Sequence, residues 1–194
     1  ARPRIEKGGC RVFISPSRAI RAANDRWWTY ETLRLTGLEV PRSVCGVSRA
    51  AAAGFLPFPA VSFPRWRGSD GAEVVHERLE DLPPKLSPDR VYCERYPGDR
   101  YEVHLFAAAG GEASSLVALA LRRPASSEWE PVEAPEIEDV ARAVSRTIAL
   151  EGAASIEIQR DRQGRPRVLG VEARPGDRVG GAPSVVAALL RAGP

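Results

Sequence analysis

Methionine is absent from this sequence, even at position 1, so the chain is expected to be a processed or trimmed piece of a longer product. Lysine is confined to Lys7 and Lys85, and the positive charge is carried almost wholly by arginine. Arginine does not titrate near neutrality and its planar fork matches carboxylate and phosphate. Cys10, Cys45 and Cys93 are odd in number, far apart and without CxxC spacing, which argues against a disulfide framework and a zinc site and fits a reducing cytoplasm. Cys93 sits in an apolar run and reads as a small core residue. His76 and His104 have no metal-like spacing. No apolar run approaches the ~18 residues of a membrane helix, and residues 1–7 lack the apolar segment of a signal peptide. The net charge of +3 is scattered, so a nucleic-acid surface, suggested only by Arg65-Trp66-Arg67 and a pI near 9.0, is not expected.

What is present is a series of short periodic segments. Residues 11–14 read as a strand. Ser15-Pro16 opens one helix whose apolar face is Ile20, Ala23, Trp27, Tyr30 and Leu33, closed by Gly37. Residues 48–54 are Ala-rich and read as a helical turn or two. Strands are expected over 58–63, 72–75 and 91–96, with a Pro-rich connector at 81–88. Segments 101–107 and 116–121 read as an antiparallel hairpin around Gly110-Gly111. A loop covers 124–135. Ile137, Val140, Ala141, Val144 and Ile148 mark an amphipathic helix stopped by Gly152. A closing hairpin turns at Arg162-Gln163-Gly164, and a last helix is expected over 183–191. The order is that of an α+β fold and not of a parallel doubly wound sheet.

The closing hairpin concentrates the chemistry. It would set Glu157 beside Glu172, with Arg174 at the rim, a cradle for a divalent cation and a phosphate. Each piece also has a plainer reading: the glutamates as a solvated hairpin face, Gly68-Ser69-Asp70-Gly71 as an ordinary turn, Arg26 as the partner of a nearby acid, and Trp27-Trp28 as packing.

Taken in order, several motifs resemble the ATP-grasp superfamily: Asn24-Asp25-Arg26 with the exit Thr36-Gly37-Leu38-Glu39-Val40-Pro41; Phe58-Pro59-Ala60-Val61 before the phosphate loop; the hinge-like Val91 to Asp99; and Glu157 with Glu172-Ala173-Arg174. The similarity spans about residues 11–190. It implies two small α+β subdomains with antiparallel sheets gripping a nucleotide cleft, with most of the preceding N-terminal domain absent. Residues 1–15 would be a remnant or linker, 16–97 the N-terminal lobe and 98–194 the C-terminal lobe. The implied cofactors are ATP and Mg²⁺. Arg26, Arg65, Arg67 and Ser69 would meet phosphates, Glu94, Arg95 and Tyr96 the adenine, and Glu102 the ribose. Glu157 and Glu172 would hold metal, and Arg174 would neutralise the transferring phosphoryl group.

The pattern also departs from the family. Phe63 stands where a phosphate-binding Lys or Arg would precede Pro64, Arg100 where the ribose glutamate would fall, and Ala173 where a metal-binding Asn is expected. The resemblance therefore implies either an ATP-dependent carboxylate–amine (or carboxylate–thiol) ligase acting through an acyl phosphate, or a degenerate relative that binds a nucleotide or partner protein without turnover. Small carboxylate and amine substrates are the implied partners if the chain is active, with a homodimer or a partner protein as further expectations.

Overall fold

A computed structural model describes residues 7, 14–69, 71–107, 117–123 and 130–173 of the chain. Two antiparallel sheets organise it. The smaller has the order β1-β4-β2-β3, formed by β1 (Ser43–Val44), β2 (Ala60–Pro64), β3 (Val74–His76) and β4 (Arg90–Glu94). The larger has the order β7-β6-β5-β8-β9, formed by β5 (Arg100–Ala107), β6 (Val117–Arg123), β7 (Glu130–Val132), β8 (Gly152–Arg160) and β9 (Pro166–Glu172). The α+β architecture with antiparallel sheets is thus present as expected. Residues 11–13 and the helix expected at 183–191 lie outside the described residues.

The single helix expected after Ser15 is two helices, α1 (Ser17–Asn24) and α2 (Arg26–Leu35), broken at Asp25. Asp25 takes an extended conformation, and its carboxylate accepts hydrogen bonds from the Trp27 and Trp28 N–H groups. That is an N-cap, and it satisfies donors a continuous helix would have used internally. The break also receives the loop after β2. The Arg26 N–H donates to Arg65 O at 2.8 Å and the Arg67 N–H to Asn24 O at 2.9 Å, a short β-bridge centred on Asp25 and Trp66. A 3.6-residue periodicity cannot reveal such a break, because apolar spacing continues across it.

The helices α3 (Arg49–Ala53) and α4 (Pro135–Ile148) fall where the sequence places them. Strand β7 was expected to be loop; it is three residues long, contains Pro131 and lies at the sheet edge, where a missing N–H costs least.

The larger core is built on one face of the larger sheet. Tyr101, Val103 and Leu105 of β5, Ala154, Ile156 and Ile158 of β8, and Val168 and Val171 of β9 pack against Ile137, Ala141, Val144 and Ile148 of α4. Ala19, Ala23, Tyr30 and Leu33 of α1 and α2 join the same cluster. A boundary at 97/98 thus divides one core between the two expected lobes. The smaller sheet has its own cluster, Val44, Ala52, Leu56, Ala60, Leu82, Leu86 and Tyr92. Its other face carries Val61, Phe63 and Cys93, all buried. Burial pushes the Cys93 thiol up to about 12, so it is an inert neutral group, as its apolar run suggested.

Candidate nucleotide and metal site

Strand alternation sends the polar residues of the larger sheet to the face away from α4. The register places Glu102, Glu157 and Gly170 side by side across β5, β8 and β9, and His104, Ser155 and Glu172 in the next row. Glu157 and Glu172 therefore share one face, but in adjacent rows and not side by side as the hairpin reading expected. A bulge between Glu157 and Ile158 leaves Leu169 as the extra residue of β9. The Leu169 carbonyl accepts hydrogen bonds from the Arg26 guanidinium at 2.6 Å and from the Tyr30 hydroxyl at 2.8 Å. These two α2 side chains tie the helix to the bulge.

Arg26 is the first residue of α2 and is buried. Its guanidinium lies 4.5 Å from the centre of the Phe63 ring. Burial alone would lower its pKa, but its contacts with Tyr30 and Glu157 outweigh this and hold it above the ordinary guanidinium value. Its Nε has no hydrogen-bond partner among the described residues. Position 63 thus supplies no charge, and a cation from α2 covers its ring instead.

A cavity of 380 Å³ opens beside these groups, lined among others by Arg26, Phe63, Arg67, Ser69, Arg100, Glu157 and Glu172. The Arg67 guanidinium bridges the two carboxylates, 3.4 Å from Glu157 and 4.0 Å from Glu172. Arg100 approaches Glu157 at 3.6 Å. Gly170 makes this possible: a Cβ there would lie 1.9 Å from the Arg67 Nη2 and 3.0 Å from the Glu157 Oε2.

A second cavity, of 310 Å³, is lined by Phe58, Pro59, Glu94, Arg95, Tyr96, Asp161 and Arg167 among others. Its walls are fixed by hydrogen bonding. The Arg95 N–H donates to Pro59 O, and the Gln159 side-chain amide donates to the carbonyls of Tyr96 and Gly98. A Cβ at Gly98 would lie 2.5 Å from Arg160 O, so the hinge needs glycine there to approach β8. Burial, then the charge of Glu94, raises the Tyr96 phenol well above its ordinary value.

The candidate residues thus fall into groups. Arg26, Arg67, Ser69, Glu157 and Glu172 converge on the first cavity, and Glu94, Arg95 and Tyr96 on the second. Arg65 lines neither; its fork is engaged by Asp25 at 2.9 and 2.7 Å. Glu102 also lines neither and lies 3.6 Å from His104, whose imidazole pKa is lowered by burial against the pull of Glu102 and Glu172. Arg174 lies outside the described residues.

One sequence assignment is corrected. Ala173 is not the vacated ligand position, because it is buried in the larger core beside Val171, on the face opposite Glu172. The residue directly across from Glu157 is Gly170. Gly170, Arg100 and the Leu169 bulge were missed as parts of the site; the Leu169-Gly170 pair inside a strand run was the available signal, since an interior glycine marks a bulge or a close approach.

Among the described residues no three His, Cys, Asp or Glu side chains gather to hold a metal. The two carboxylates still fit a magnesium ion. They are hard oxygen ligands on one face, and a guanidinium already stands in as the cation between them.

No protein-family model and no curated protein matches the chain. Solved structures do. An L-amino acid ligase from Bacillus licheniformis matches at 15% identity and a TM-score of 0.67, over 92% of this chain and 47% of that one. The ATP-grasp ligase PsnB, complexed with precursor peptide PsnA2 and AMPPNP, matches at 22% identity and 0.72, over 98% and 65%. A D-alanine–D-alanine ligase from Bacillus anthracis matches at 16% and 0.72, over 98% and 72%. The chain therefore spans from about half to under three-quarters of these ligases. With two antiparallel sheets facing a polar cleft and these superpositions, the chain has the ATP-grasp fold.

Proposed function

We propose that the chain binds Mg-ATP between its two sheets, as the nucleotide lobe of a ligase that activates a carboxylate as an acyl phosphate for attack by an amine or thiol. The observation that carries this reading is the convergence of Arg26, Arg67, Arg100, Glu157 and Glu172 on one cavity. The hinge cavity at Glu94 to Tyr96 suits the purine end, where backbone groups offer hydrogen bonds and Phe58 and Pro59 offer apolar surface. Its volume and that of the phosphate cavity lie within the usual range of ligand sites, roughly 300–1,000 Å³.

In this reading Arg26, fixed by Leu169 and Phe63, presents a constant positive charge to phosphate oxygens. Arg100 adds charge from β5, and Arg67 and Ser69 add a guanidinium and a hydroxyl from the loop after β2. Glu157 and Glu172 would hold Mg²⁺, which would supply positive charge to offset that of the phosphates. Arg174, two residues beyond the end of β9 in sequence, is proposed to stabilise the transferring phosphoryl group. Glu102 is proposed for the ribose, from the same sheet face as Glu157. Arg65 acts at one remove, holding Asp25 and with it the start of α2.

Calorimetric titration with Mg-ATP tests binding, and ADP release over a panel of carboxylates and amines tests turnover. Glu157→Gln should abolish Mg²⁺-dependent ADP release; unchanged turnover in that variant contradicts the assignment. A second reading, binding of nucleotide or a partner without turnover, is favoured by one observation: Phe63 puts an aromatic ring where the resemblance calls for a phosphate cation. It predicts nucleotide-dependent thermal stabilisation with no ADP formed, and stoichiometric ADP release with a substrate rules it out.

A further inference from the structure

We propose that Arg67 is the resident counter-cation of the Glu157/Glu172 pair, and that it excludes magnesium from these carboxylates until a nucleotide phosphate draws it away. The inference rests on the nucleotide reading above and adds an order of events to it. Three observations support it. Arg67 contacts both carboxylates, and its side chain and that of Glu157 are largely shielded, 17% and 13% exposed. The guanidinium lies in space that any side chain at position 170 would take, so its seat is created by Gly170. The backbone of Arg67 is pinned by the hydrogen bond from its N–H to Asn24 O, and Gly68 follows with φ +79° and open space around it. The side chain can therefore leave without undocking the loop from the helix break.

The exchange follows from ligand chemistry. A guanidinium pairs through a planar fork and transfers readily from carboxylate to phosphate oxygens. Mg²⁺ sheds water reluctantly and gains most where carboxylate and phosphate oxygens are offered together. Without nucleotide the pair is already neutralised, and an incoming dication meets two guanidinium charges, Arg67 and Arg100, at Glu157. With nucleotide, Arg67 gains a polyanionic partner in the same cavity and leaves both carboxylates, with Arg100 remaining beside Glu157. Metal and nucleotide binding are then coupled through one side chain.

The test titrates Mg²⁺ alone, at constant ionic strength, into wild type, Arg67→Gln and Gly170→Ala, read by calorimetry and thermal melting. Gly170→Ala keeps the arginine but fills its seat, so it separates loss of the seat from loss of the charge. Wild type should bind Mg²⁺ alone weakly; both variants should bind it about tenfold or more tighter, a coupling of ordinary size. The gain should vanish in Arg67→Gln combined with Glu157→Gln. Equal Mg²⁺ affinity in all three proteins, or wild type taking Mg²⁺ as tightly alone as with ATP, overturns the proposal. Failure of the nucleotide reading shows separately, as wild type that gives no response to Mg-ATP, while the magnesium-only arm still decides the role of Arg67.

Discussion

At the scale of single residues, the site depends on a few buried polar groups with several partners. The Tyr30 hydroxyl and the Arg26 guanidinium share one acceptor, the Leu169 carbonyl freed by the bulge. Tyr30→Phe removes one of two donors to that carbonyl and should lower stability by about 1 kcal/mol, read as a shift in the urea midpoint, with Mg-ATP affinity retained. Ala173→Asn should destabilise by about 1–3 kcal/mol, because it places an amide in the apolar core; magnesium affinity should not rise, since position 173 faces away from the carboxylates. Asp161 closes the last hairpin. Burial would raise its pKa, but hydrogen bonds from the Arg165 and Gln163 N–H groups and the Arg165 charge outweigh this and hold it below the usual carboxylate value. A depressed folded pKa contributes stability that is present above the unfolded value, roughly pH 4, and is lost as pH falls through the folded value. Asp161→Asn should therefore cost stability at pH 7 and progressively less on acidification below about pH 4, measured as the difference in urea midpoint from wild type. A difference that does not shrink in acid contradicts it.

At the scale of elements, the break between α1 and α2 positions the phosphate end of the site. It starts α2 at Arg26 and docks the loop carrying Arg67 through two backbone hydrogen bonds. Asp25 serves as cap and as the bidentate partner of Arg65. Asp25→Ala should cost about 2 kcal/mol or more, whereas Asp25→Asn keeps the cap and should cost less, by guanidinium chloride unfolding. Much at this scale was legible in the sequence. Alternation in 152–160 gave the face of Glu157, and helical spacing in 137–148 located α4. What escaped were features set by tertiary contact: the break at Asp25, because apolar spacing runs through it, and edge strand β7, because three residues with a proline carry no periodic signal. The bulge at Leu169 escaped as well: it shifts the pairing so that Gly170 rather than Leu169 stands across from Glu157, and it brings Glu172 to the face of Glu157.

At the scale of the whole molecule, two sheets present unlike faces to a shared cleft. The smaller offers Phe63 and Pro64, and the larger offers charge. The α+β class and the fold could be anticipated from the order of motifs, since their sequence along the chain follows the order of elements. The pairing of charges across the cleft could not, because Arg26, Arg67, Glu157 and Glu172 are brought together only by docking of α2 and the loop after β2. No helix among the described residues is long and apolar enough to cross a membrane. The most direct measurement of the account is calorimetric titration of the full chain with Mg-ATP, wild type against Glu157→Gln. The account predicts a single saturable site in wild type, weakened about tenfold or more in the variant through loss of a charged metal ligand. No binding by wild type, or equal affinity in the two proteins, would contradict it.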